Sequence, residues 1–252
     1  MHKQQRAARP LSVILTILAA TVSLSGCSTL QNLPLPWNHA DSSTSTTSTS
    51  PSGSTTAATG KPDAKAIKGH LDAGNKSANS GQWQAALDQY QQVLTADPRN
   101  AQAHAQSGWA LAELKQWEEA KNHLTSAIAL NPENGSAHAT LAWVYAEQKH
   151  WTESQEEAKK AIDLDPKNAY PHATLAWGYQ STGQDDLAVD EYAKSLELNP
   201  KLDQSSLALG IIYCNQGQKP RADELLNSLI KQGSPKASDL QARIKKGCGV
   251  KK

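Results

Sequence analysis

Four histidines recur at one constant spacing, His70, His104, His138 and His172. Imidazole is the commonest metal ligand and the usual proton carrier near neutral pH, so a periodic histidine row raises metal binding first. Three cysteines, Cys27, Cys214 and Cys248, offer thiol chemistry, but they are too few for a disulfide framework and too scattered for a zinc motif. Seven Trp and six Tyr stand beside no Phe, so any aromatic recognition rests on rings that carry a polar handle. Six of the tryptophans form two rows with the same period, Trp83, Trp117 and Trp151, and Trp109, Trp143 and Trp177. The sequence holds no nucleophile elbow, no phosphate-binding glycine loop and no metal-ligand motif. The residues therefore point to binding, not catalysis, with no cofactor and no small-molecule substrate expected.

The elements that must position these rows follow from the same period. Pro98, Pro132, Pro166 and Pro200 repeat at the interval that separates the histidines, and a fixed period of this length is the mark of a repeat architecture. Residues 101–134 carry Gly108, Leu111, Trp117, Ala120, Ala127, Ile128, Leu130 and Pro132. Residues 135–168 carry Leu141, Ala142, Tyr145, Trp151, Ala161, Ile162 and Pro166. Residues 169–202 carry Leu175, Ala176, Tyr179, Gly183, Ala188, Tyr192 and Pro200, and weaker copies occupy 67–100 and 203–235. This pattern resembles the tetratricopeptide (TPR) repeat. The resemblance implies an all-α chain: a right-handed superhelix of about five helix-turn-helix repeats within residues 63–235, closed by a capping helix and tail at 236–252.

Each row has a physical cause. Small residues at Gly108, Ala142, Ala176 and Gly210, and at Ala120, Ala188 and Ala222, let the paired helices approach, with Ser154 the variant member. Proline stops each second helix, and Asn100, Asn134 and Asn168 stand where they cap the next. Equivalent residues of successive repeats lie a helix pair apart, and helices pack about 8–10 Å apart. Zinc needs its nitrogens within about 2.1 Å, so the four histidines of the row cannot share one ion, and they are expected as helix-packing residues. Trp83, Trp117 and Trp151 fall where the repeat packs a large residue between its helices. In the repeat that this pattern resembles, the position of Trp109, Trp143 and Trp177, with Ile211 next in the row, faces the concave groove, and they are expected to form a partner-binding wall. The alternative role for this row is packing between neighbouring first helices. Glu113, Glu147, Tyr170 and Gln180 join the groove by position. The cationic residues of a carboxylate-clamp groove are missing. Cys214, in the last first helix, and Cys248, just past the capping helix, form a candidate disulfide; a buried Cys214 with an exposed tail thiol is the alternative.

The N-terminus sets the compartment. A basic segment precedes the apolar run Leu11 to Leu24, too short to span a bilayer with ease. Leu24-Ser25-Gly26-Cys27 resembles the bacterial lipobox. That resemblance implies a signal peptide over 1–26, cleavage before Cys27, and covalent diacylglycerol and acyl chains on Cys27, with Ser28 favouring the outer membrane facing the periplasm. Lipidated Cys27 opens a tether over 27–62. Residues 28–60 hold 16 Ser or Thr among 33 positions, too polar to fold alone. As a coil such a leash reaches roughly 30 Å. Removing Lys3, Arg6 and Arg9 with the signal leaves 22 basic residues against 24 acidic, without the basic excess that nucleic acid demands. The expected function is a membrane-anchored protein–protein scaffold of the cell envelope whose groove holds a peptide or helix of an envelope protein, for example in assembly of an envelope complex. The alternative is a cell-wall or glycan-binding module that uses the Trp109, Trp143 and Trp177 row.

Overall fold

A computed structural model describes residues 63–249; the expected signal peptide (1–26), lipidated Cys27 and tether (27–62) lie outside the described residues. The described residues form eleven α-helices and no strand. They follow one another in pairs: α1 (Ala64–Asn79) with α2 (Trp83–Ala96), α3 (Ala101–Glu113) with α4 (Trp117–Leu130), and α5 (Gly135–Glu147) with α6 (Trp151–Leu164). Then come α7 (Ala169–Ser181) with α8 (Asp185–Leu198), α9 (Asp203–Asn215) with α10 (Lys219–Lys231), and the single α11 (Lys236–Lys245). Each second helix also packs on the first helix of the next pair. The first helices α1, α3, α5 and α7 touch in series, and no two second helices make comparable contact. First helices therefore lie on the inner side of the stack.

The small-residue rows explain the tight pairing. A Cβ at Gly108 would lie 2.5 Å from Leu124 Cγ, and one at Gly74 would lie 2.4 Å from the Tyr90 ring. Ala86, Ala120, Ala188 and Ala222 are fully buried, and Ser154 takes its place in that row with equal burial. α5 is buried on nearly every side, as the central first helix of a stack must be.

The connections repeat as well. After each even helix from α2 to α8 the chain turns at Asp97, Asn131, Asp165 or Asn199, whose side chain accepts a hydrogen bond from the backbone two residues on. Proline follows at once and pre-sets the turn. Asn100 and Asn134 then cap α3 and α5 through the amides of Ala103 and Ala137, each at 3.0 Å. Asn168 caps α7 through Tyr170 at 3.1 Å. Inside each pair the turn needs one left-handed residue. Gly81, Gly183 and Gly217 supply it in three repeats, but Lys115 (φ 60°) and Lys149 (φ 62°) supply it in the second and third. A side chain in that region costs about 1–2 kcal/mol, offset in part by the entropy glycine loses. Lys149→Gly is therefore expected to raise stability by about 1 kcal/mol in urea unfolding. Lys115→Gly should gain less, because the Lys115 charge also supports the Glu147 carboxylate.

The C-terminal end is closed by α11, which buries Leu240 and Ile244. Leu240 Cδ2 sits 2.6 Å from where a Cβ of Gly210 would be, so the small residue in α9 serves the cap. Cys214 of α9 and Cys248 beyond α11 form a disulfide. Around it Arg243 donates to Asn215 Oδ1 at 2.6 Å and to the Gly247 carbonyl at 2.7 Å, while the Gly249 amide donates to the Cys214 carbonyl at 2.8 Å.

Candidate partner-binding groove

The face that could receive a partner is built from one stripe on each inner helix. Positions seven and eleven apart share a helix face, so Gln102, Trp109 and Glu113 align on α3, and Ser136, Trp143 and Glu147 align on α5. Tyr170, Trp177 and Ser181 make the stripe of α7. Gln102, Ser136 and Ser181 are exposed, whereas Glu113, Glu147 and Tyr170 are half-buried.

The tryptophans do not form the expected wall. Trp109 and Trp143 are only 6% and 8% exposed, and Trp177 is half-buried. Each packs edge-on against a tryptophan of the preceding repeat: Trp83 on Trp109 at 5.0 Å between centroids, Trp117 on Trp143 at 5.9 Å, and Trp151 on Trp177 at 5.4 Å. The two rows are one device that clips the starts of α2, α4 and α6 to the first helix of the next pair. Such an edge-to-face pair adds about 0.5–1.5 kcal/mol beyond its burial. This corrects the expectation in both directions. The row assigned to the groove is the more buried, and the row assigned to packing inside a repeat is half-exposed and bridges two repeats. Ile211 is also a packing residue, set against the cluster of Leu207, Cys214, Leu226, Leu229 and Leu240. Gln180 Oε1 accepts from Tyr192 Oη at 3.1 Å, which occupies it within its own repeat.

Glu113 and Glu147 are the expected groove residues with unusual electrostatics. Burial pushes the Glu113 carboxyl up to about 7, against a smaller opposing pull from the Trp109 indole. Glu147 is raised by burial as well, while the Trp143 indole N–H, which donates to Glu147 Oε1 at 3.1 Å, and the Lys115 charge oppose the rise. The linkage sign is definite. An ordinary glutamate loses its proton near 4.5, so between that pH and about 7 the folded chain holds a proton at Glu113 that the unfolded chain has released. Stability contributed by this group falls as pH rises across that window. Glu113→Gln should therefore stabilise the protein at pH 8, with the gain shrinking toward zero near pH 4.5. A gain independent of pH would refute the burial argument.

Each member of the histidine row meets a residue of the second helix of its own pair. His70 meets Gln89, His104 meets His123, His138 meets Glu157, and His172 meets Glu191. These partners share the period of the histidines, a row that the sequence contains but that their mixed residue types conceal. Among the described residues no group of three or more His, Cys, Asp or Glu is placed to hold a metal ion. No helix among them is long and apolar enough to cross a membrane.

The stack has clear counterparts among known proteins. Residues 78–124 and 111–178 match a family described as tetratricopeptide repeat, and residues 204–235 match a second family of the same description. No curated protein matches the chain in sequence. Among solved structures, PilF of Pseudomonas aeruginosa superposes with a TM-score of 0.65 at 19% identity, over 72% of this chain and 84% of that one. The thermophilic protein TTC0263 of Thermus thermophilus gives 0.57 at 21% identity, over 71% and 97%. MamA of Desulfovibrio magneticus, from its residue 41 to the end, gives 0.56 at 17% identity, over 66% and 94%. Identities this low establish a shared fold and nothing finer.

Proposed function

Because the chain is a tetratricopeptide repeat protein, we propose that it is a non-catalytic scaffold, lipid-anchored in a bacterial cell envelope, whose inner face holds a peptide or helix of another envelope protein. The observation that carries this reading is the state of the inner stripes. Their middle residues are locked by indole pairs, while their ends, Gln102, Ser136 and Ser181, remain exposed on successive first helices. A surface held rigid from behind loses little entropy when a partner orders against it. Four consecutive first helices in contact offer a length matched to an extended peptide or a short helix. The alternative of sugar stacking is not favoured, since Trp109 and Trp143 present almost no free ring face.

Support for the anchor comes from the apolar run that ends at Leu24-Ser25-Gly26-Cys27, and for reach from the Ser/Thr-rich tether behind it. One acyl chain binds a membrane only reversibly, whereas several on one cysteine hold it stably. Cys27→Ser is expected to move the protein out of the detergent-rich phase in a detergent partition. If the variant stayed there, the anchor assignment would be wrong. The binding half is tested by affinity capture with the full-length chain from envelope extract, before and after protease digestion of that extract. Capture of a polypeptide, weakened by Ser136→Arg and abolished by digestion, is the expected result. Capture that survives protease and disappears after wall-glycan digestion would replace the partner with a glycan.

A further inference from the structure

The four members of the histidine row do not meet the same chemistry. His70 Nδ1 faces Gln89 Oε1 at 2.9 Å, His138 Nδ1 faces Glu157 Oε2 at 2.5 Å, and His172 Nδ1 faces Glu191 Oε2 at 2.7 Å. In the second repeat alone a nitrogen faces a nitrogen: His104 Nδ1 lies 3.1 Å from His123 Nδ1. The protons can be assigned by what surrounds them. His104 Nε2–H donates to the Pro98 carbonyl at 3.2 Å, which leaves Nδ1 of the neutral ring as a lone pair. His123 then donates from Nδ1 and keeps its lone pair on Nε2.

That arrangement is also suited to a metal ion. Two nitrogens 3.1 Å apart subtend about 100° at an ion held by bonds of about 2.0–2.1 Å, close to the tetrahedral angle. The bond from His104 Nε2 to a backbone carbonyl is the outer contact that fixes the ring of a metal-bound histidine. Both rings are half-buried. His123 also borders a cleft of about 270 Å³ shared with Asp88 and Gln91. Imidazole pairs suit zinc, nickel and copper(II), not magnesium or calcium.

We infer that His104 and His123 form a two-imidazole site for a borderline divalent cation, with the remaining positions filled by water or by a group of a bound partner. On binding, the His123 proton moves from Nδ1 to Nε2, both Nδ1 lone pairs turn to the ion, and no net proton is released from the neutral pair. The site is independent of the inner face and stands whether or not that face binds a peptide.

The test is calorimetric titration of the full-length chain, in detergent and without an added histidine tag, with zinc chloride near neutral pH. The wild type is expected to bind one equivalent through this site, and His123→Gln to bind it at least about tenfold more weakly. That substitution recreates the His70–Gln89 pairing of the first repeat, so it preserves the helix pair. Imidazole nitrogen signals in the wild-type NMR spectrum decide the matter even if the variant does not fold. The first to shift with zinc should belong to His104 and His123. No zinc binding by the wild type, equal affinity in His123→Gln, or first shifts at His138 or His172 would each overturn the site.

Discussion

Trp143→Ala is expected to lower the stability of the stack by about 3–5 kcal/mol, the range for emptying a buried indole. Trp143 is 8% exposed on the most enclosed helix of the array. Its ring meets Trp117 edge-on, and its N–H donates to Glu147 Oε1. Truncation opens a cavity between the second and third repeats and strips a half-buried carboxylate of its donor. Because repeats are stabilised through their neighbours, the damage should also lower cooperativity, with the two sides of the break melting apart. Trp177→Ala, at a half-buried site, should cost visibly less. Urea unfolding followed by far-UV circular dichroism measures both. A Trp143→Ala protein as stable as wild type would return this indole to the groove wall.

Loss of the Cys214–Cys248 bond is the second large effect. The bond closes a loop with a sequence separation of 34, and a loop of that size contributes about 3–4 kcal/mol by constraining the unfolded chain. The native state has a local reason to keep it. α11 covers α9 with Leu240 against Gly210, and the disulfide joins the segment after α11 back to α9. Cys248→Ser, or reduction of the wild type, should lower the unfolding midpoint and expose the α9–α10 end to hydrogen exchange while the first three repeats stay protected. Two freely labelled thiols at positions 214 and 248 without reductant would show that the bond does not form.

The helical-repeat fold was legible because its causes are local and periodic. Prolines that stop helices, asparagines that cap them and small residues at crossings act through contacts close in the chain, and every row recurs with one period. The groove was less legible. Trp109 and Trp143 occupy positions that face a groove in the repeat pattern, yet a ring's direction depends on its partner in the preceding repeat, and the two tryptophan rows look independent in the sequence. The histidines show the same gap. Their row is plain, but their partners lie across the helix pair at a spacing that no single-helix pattern contains. Lys115 and Lys149 carried a signal that could have been read, since they interrupt a row otherwise filled by Gly81, Gly183 and Gly217.

The most direct test of the scaffold reading is site-specific photo-cross-linking in intact cells, with a photoreactive residue placed at Ser136 or Ser181 on the inner stripes and, for comparison, at Glu153 or Lys160 on a second helix. All four positions are exposed, so accessibility does not bias the result. The account predicts a discrete polypeptide adduct from the inner positions and none from α6. An adduct from Glu153 or Lys160 with none from Ser136 and Ser181 would place the partner on the outer face and contradict it.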